Sequence, residues 1–106
     1  MEITLEGCRS RTLFPGYEAK LIHTDRMTLA YVDVESGAAF PEHSHHNEQV
    51  LNVLSGEFEL TVEGESHVLT PGVVYAIPPN AKHFGVAHTQ CRILDVFSPV
   101  REDWLE

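Results

Sequence analysis

The sequence predicts an all-β protein, an antiparallel sandwich or barrel, and three observations predict it. Short runs alternate apolar and polar side chains, the period of a half-buried strand. Turn chemistry separates those runs at intervals of about eight residues, a spacing typical of sandwiches and barrels. No stretch of ten or more residues carries a helical apolar period with capping residues.

The elements follow in chain order. Residues 27–35 are rich in strand formers and alternate early, at Leu29 and Tyr31; Ser36-Gly37 closes this run. Residues 49–54 form a short apolar-rich run ended by Ser55-Gly56. Residues 57–63 alternate cleanly, with Phe58, Leu60 and Val62 on one face and Glu57, Glu59, Thr61 and Glu63 on the other. Glu63-Gly64 has the composition of a hairpin turn. Residues 73–77 are continuously apolar, which predicts a fully buried strand between the breakers Thr70-Pro71-Gly72 and Pro78-Pro79-Asn80. Residues 92–98 alternate again: Ile93, Asp95 and Phe97 share one face, Leu94 and Val96 the other. Residues 101–106 are expected to form a short helical turn.

Size and charge narrow the function. A chain of 106 residues is expected to be one domain, residues 1–106. Lys and Arg total 7 against 16 Asp and Glu, a net charge of −9. That excess of acid argues against nucleic acid or an anionic membrane surface, and fits a small-molecule ligand. No apolar run approaches the roughly 20 residues that cross a bilayer. The acidic start Met1-Glu2-Ile3-Thr4-Leu5-Glu6 is unlike a secretory signal. Cys8 and Cys91 are too few for a disulfide framework, so a reducing cytoplasm is the expected location. A barrel this small has edge strands to cover, so a homodimer is expected.

Histidine is the outlying residue type: seven are present, three of them within residues 42–49. His43 and His45 are one residue apart, and positions i and i+2 of a strand point to one face. Two imidazoles side by side suit one metal. His46-Asn47-Glu48 can turn the chain into the next strand and bring Gln49 to the same interior as Leu51 and Val53. His83 follows the Pro78-Pro79-Asn80 turn, where a barrel would return it to the same cavity. The expected ligand set is His43, His45, Gln49 and His83. Glu48 replaces Gln49 only if the register slips by one residue, which takes it off the face of Leu51 and Val53. His46 is expected to face solvent beside the site.

These residues carry a resemblance. Gly37-x5-His43-x-His45-x3-Gln49-x6-Gly56 resembles the first motif of the cupins, and Gly72-x5-Pro78-x-Asn80-x2-His83-x3-Ala87 the second. The resemblance implies a double-stranded β-helix, the cupin jelly-roll barrel, holding one divalent transition metal ion per chain. Gln49 stands where most cupins have Glu, Asn80 where they have Gly, and Ala87 where they have Asn. Asn tolerates the left-handed backbone that such a Gly position needs. With three neutral imidazoles and a neutral amide, the metal keeps its full charge. It is then a stronger Lewis acid, held less tightly than by a carboxylate-bearing set. Imidazole ligands suit Zn, Ni, Fe, Mn, Co or Cu alike, so the ligand type does not select the ion.

A second resemblance covers the C-terminus. The run Asp95-Val96-Phe97-Ser98-Pro99-Val100-Arg101-Glu102-Asp103-Trp104 is similar to the ending of the small pectin-degradation cupins of the KdgF type, which also use Gln at the fourth ligand position. His43-Ser44-His45-His46-Asn47-Glu48-Gln49 resembles their first motif, with His46 and Asn47 in place of Pro and His. The resemblance implies conversion of 4,5-unsaturated uronates to linear keto forms, with Asp95, Phe97 and Arg101 in the site. From the residues themselves, an interior Asp95 needs a cation, a hydrogen bond or a proton, the setting of a general acid or base. Arg101 offers a planar fork to a substrate carboxylate; the bland alternative is an Asp95–Arg101 ion pair. A cupin oxygenase and a non-catalytic metal- or sugar-binding cupin are the competing functional readings.

Overall fold

The computed structural model describes residues 1–105. Among them the regular elements are strands and two 3-10 turns, at Leu5–Gly7 and Glu102–Trp104. The strands are β1 (Ser10–Phe14), β2 (Tyr17–His23), β3 (Thr28–Val34), β4 (Ala39–His43), β5 (Glu48–Ser55), β6 (Phe58–Val62), β7 (Glu65–Leu69), β8 (Val74–Ile77), β9 (His83–Ala87) and β10 (Cys91–Ser98). They form a six-stranded sheet, β1-β2-β3-β10-β5-β8, and a four-stranded sheet, β4-β9-β6-β7. Every pairing is antiparallel. The expected helical turn over 101–106 is the 3-10 turn Glu102–Trp104, and Glu106 lies outside the described residues.

The early-alternating run 27–35, the apolar-rich run 49–54 and the alternating runs 57–63 and 92–98 became β3, β5, β6 and β10. The inward side chains Ala30, Val32 and Val34 of β3, Leu51 and Val53 of β5, and Ile93 and Phe97 of β10 meet Phe58, Leu60 and Val62 of β6. Each fully buried Val, Leu, Ile or Phe among them contributes roughly 1.5–3 kcal/mol, and the layer between the sheets is the core. Strands β1, β2, β4, β7 and β9 carry weaker patterns. Pro41 interrupts β4, an edge strand that tolerates proline, and its register on β9 shifts between Phe40 and His43. Gly85 interrupts β9: a Cβ there would lie 2.5 Å from the Phe58 ring, so the glycine makes room for the core.

One expectation is corrected. Residues 73–77 do not form a fully buried strand. β8 lies at the edge of the six-stranded sheet, Val74 is 54% exposed, and Ile77 alone on that strand is buried. An edge strand is packed on one face and paired on one side only, so an apolar run there does not require burial. The turn that follows is as expected: Asn80 takes the left-handed conformation, at φ 66°.

Candidate metal centre

The end of β4, the start of β5 and the start of β9 come together at one mouth of the barrel. His43 and His83 are directly opposed across the β4–β9 ladder, with ring centroids 4.4 Å apart. His45 lies just beyond the end of β4, not in the strand. It nevertheless faces the same space, 5.1 Å from the His83 ring and 5.7 Å from that of His43. Its carbonyl accepts a 2.8 Å hydrogen bond from the Asn80 N–H, which ties the His45 loop to the turn that delivers His83. One nitrogen of each ring lies within 4.8 Å of the others. His46 and Glu48 are exposed and stand apart from this group.

The hydrogen bonds determine the tautomers. Nδ1 of His43 bonds the Pro41 carbonyl at 3.1 Å, Nδ1 of His45 that of Asn47 at 3.0 Å, and Nδ1 of His83 that of Ala81 at 2.9 Å. A carbonyl oxygen only accepts, so each Nδ1 carries the proton and each Nε2 is a lone pair. Such backbone partners are the usual orienting contacts of metal-binding imidazoles. Burial, with Arg101 and His83 adding to it, pushes the His45 pKa down to about 4. Burial, with His43 and Arg101 adding to it, also lowers that of His83. Both rings are therefore neutral at neutral pH.

Gln49 completes the set from β5. Its side-chain nitrogen donates to Asp95 Oδ1 at 2.9 Å, which turns Oε1 toward His45 Nε2 at 3.1 Å. Two acceptors at that distance repel unless something positive lies between them. A proton on His45 is disfavoured by its burial. Flipping the amide only moves the conflict to the Asp95 carboxylate. A divalent cation among the three Nε2 atoms and Oε1 resolves it, and spacings within 4.8 Å close onto metal–nitrogen bonds of about 2.0–2.1 Å by small ring movements. The donor set fits a metal ion.

The centre opens on a cavity of about 240 Å³, lined among others by His43, Gln49, His83, Asp95, Phe97 and Arg101. That is below the roughly 300–1,000 Å³ of drug-sized sites and suits a small molecule. Phe14, Tyr17, Phe40 and Phe58 form an aromatic wall on the other side. Asp95 lies on the inward face of β10, and burial pushes its pKa up to about 7 against the opposing pull of the Gln49 hydrogen bond and the Arg101 charge.

Arg101 is brought to the cavity, but not by the ion pair with Asp95 weighed above. Its Nε and Nη2 bind Asp103 at 3.0 and 2.8 Å. The guanidinium stacks 3.7 Å from the Trp104 ring centroid and 4.8 Å from that of Phe97. Nη1 and the second Nη2 hydrogen remain available at the fork's far end.

Sequence reasoning missed the residues that hold this arm. Asn47 is buried, and its side-chain amide donates to the Pro99 carbonyl at 2.7 Å and to that of Val100 at 3.3 Å. The backbone N–H of Arg101 donates to the Thr28 hydroxyl at 3.0 Å. Asp103 and Trp104 flank the guanidinium. Only the closeness of Arg101, Asp103 and Trp104 in sequence hinted at this clamp.

The chain is similar to known proteins. Residues 30–97 match the family described as Cupin domain. The pectin degradation protein KdgF of Dickeya dadantii (strain 3937) is 33% identical over 93 residues, 85% of this chain and 84% of that protein. The H2HPP isomerase of Bacillus subtilis is 26% identical over 96 residues, 88% of this chain but 41% of that protein. The solved structure of KdgF from Halomonas sp. superposes with a TM-score of 0.85 at 32% identity, over 92% of this chain and 91% of that one.

Proposed function

The chain belongs to the cupin domain family, and on that premise we propose that it is a metal-dependent isomerase or lyase-like enzyme. Its substrate is a small anionic sugar of the 4,5-unsaturated uronate class, and its product the linear keto form. The observation that carries the proposal is the sharing of one cavity by a metal-fitting donor set, a buried carboxyl and a half-free guanidinium. The likeness to KdgF proteins at 32–33% identity supports the substrate class.

His43, His45, Gln49 and His83 would hold one divalent ion, drawn from Zn, Ni, Fe, Mn, Co or Cu. When bound, that ion supplies Lewis-acid polarisation of substrate oxygens. The protein's own groups do the rest. The far end of the Arg101 fork takes the substrate carboxylate. Trp104 and Asp103 hold the guanidinium against the cavity wall, so little is lost in ordering it. Asp95 accepts the proton of the anomeric hydroxyl as the ring carbon–oxygen bond breaks. It returns a proton to the carbon that was part of the double bond. The enol becomes a ketone and no other reactant is consumed. Phe97 packs between Arg101 and His45 and keeps water from the reacting face.

The test uses protein purified without a His-tag. Metal analysis should find one divalent ion per chain, and 4,5-unsaturated galacturonate should lose its double-bond absorbance on mixing. Folded, metal-loaded protein that leaves the absorbance unchanged excludes the activity. A failure to retain metal excludes the ligand set separately.

A further inference from the structure

The arm that carries Arg101 is held at its near end by the fold. The Arg101 N–H donates to Thr28, and Asn47 donates to the Pro99 and Val100 carbonyls. The far end, Glu102–Trp104, is a single 3-10 turn, too short to be stable by itself. Within it the Trp104 N–H donates to the Arg101 carbonyl and the Leu105 N–H to that of Glu102. Asp103 accepts from the Arg101 guanidinium. These bonds shape the arm but attach its end to nothing else.

Trp104 bounds space on two sides. It lines the metal cavity and also an outer cleft of about 370 Å³, beside Cys8, Arg11, Leu21 and His23. On the cavity side its ring centroid lies 5.1 Å from that of Phe97, edge to face, and the ring covers the Arg101 guanidinium. A partition with room on both sides is not fixed by packing alone.

Arg11 supplies the attachment. It stands on β1 opposite the buried Ala19 and two positions before Leu13, which lines the metal cavity. Opposed residues, and residues two apart, share a face of the sheet, so Arg11 occupies an inward position among apolar neighbours. A guanidinium there is costly without a partner. Its Nη1 donates to the Trp104 carbonyl at 2.9 Å, across 93 residues of sequence. Such a charge-assisted bond is about twice as strong as a neutral one. Among the described residues it is the one hydrogen bond that ties residues 102–105 to a strand.

We propose that Arg11 is a positioning residue: it anchors Trp104, through Trp104 it orders the Arg101 guanidinium, and so it sets how tightly the site takes the substrate carboxylate. The inference rests on the role proposed above for Arg101. With the anchor in place, substrate meets a fork that is already ordered. Without it, the arm must be ordered as substrate binds, which weakens binding and leaves the chemical step at Asp95 untouched.

Trp104 is the single tryptophan of the chain, so its fluorescence reads the arm without any substrate. Arg11→Met keeps a long apolar stem and removes the donor, whereas Arg11→Lys keeps a charged donor. Arg11→Met should match the parent in circular dichroism and metal content. Acrylamide should quench its Trp104 more strongly than that of the parent. KM for 4,5-unsaturated galacturonate should rise about fivefold, the usual worth of one hydrogen bond, with kcat unchanged. Arg11→Lys should restore much of both. If Arg11→Met does not fold, Arg11→Gln takes its place with the same expected changes. Parent-like quenching in the folded variant overturns the proposal whatever the activity does. A KM unchanged in Arg11→Met but raised in Arg101→Lys overturns the link from Arg11 to the carboxylate. A KM unchanged in both means that the role of Arg101 fails and the inference falls with it. A parent that turns over no uronate is a failure of the proposed activity, and the quenching then still decides whether Arg11 anchors the arm.

Discussion

Along β10 the inward side chains are Cys91, Ile93, Asp95 and Phe97; the outward ones are Arg92, Leu94, Val96 and Ser98. Along β5 the inward ones are Gln49, Leu51 and Val53, and the outward ones Val50, Asn52 and Leu54. The inward face thus becomes polar toward one end, where Gln49 and Asp95 bond each other beneath the histidines. The outward face is mostly apolar around Asn52 and charged only at its border. Polar groups on the inner face are costly unless each finds a partner, and each does. Apolar groups on the outer face carry no such cost, and most of them are half-buried. The contrast separates a face that carries chemistry from one that does not, within the same strands.

Breaking the inner face should change catalysis or metal binding, and matched changes on the outer face should not. The largest effect is expected from Asp95→Asn. The amide still accepts from Gln49, so metal content should match the parent. Turnover should fall by about 10²–10⁴-fold, the usual worth of a general acid–base group. Parent-like turnover in folded, metal-loaded Asp95→Asn removes Asp95 from the mechanism.

His83→Ala is expected to weaken metal binding by more than about 100-fold, since loss of an orienting partner alone costs about 10–100-fold. Chelator competition measures this. The matched outward change Val96→Thr should leave the same competition curve unmoved. A metal affinity altered equally by both would mean that the two faces are not independent.

Asp103→Asn sharpens the reading of the Arg101 arm. Asp103 is exposed but binds the guanidinium through two atoms. Removing its charge should raise KM about fivefold, equivalent to the ~1 kcal/mol of a typical hydrogen bond, with kcat unchanged. A fall in kcat at constant KM would assign the arm to the chemical step instead.

The smallest effect lies outside both faces. His88 bridges Glu57 at 2.8 Å and Glu59 at 2.7 Å on the four-stranded sheet, and these contacts raise its pKa above the ordinary 6.5. A raised folded-state value stabilises the protonated form. Its contribution is complete below the unfolded value and disappears as pH rises through the folded one. The melting temperature should therefore decline slightly through that window in the parent, and His88→Gln should flatten the decline. An unchanged profile would show that solvent screening removes the effect at this exposed site.

The sequence by itself determined the β class, the strands β3, β5, β6 and β10 and the group around His43, His45, Gln49 and His83. Period, turn residues and ligand spacing are local properties, written in consecutive residues. It also put Asp95 and Phe97 on one face, because a strand alternates whatever it packs against. Only the tertiary structure decided that residues 73–77 lie at an edge, since burial depends on neighbours and not on the run itself. The partner of Arg101 was likewise decided by the turn after Pro99, which offers Asp103 and Trp104 in place of Asp95. Asn47 became a tie between the His45 loop and the Pro99 and Val100 carbonyls, 52 and 53 residues away in sequence, through contacts that no local pattern encodes. Leu29 and Tyr31, the alternation by which β3 was first read, face outward, while Thr28, Ala30, Val32 and Val34 face the core. Both faces of that strand are apolar enough to be buried, so periodicity marked the strand, and only the sheet it joined decided which side faces in.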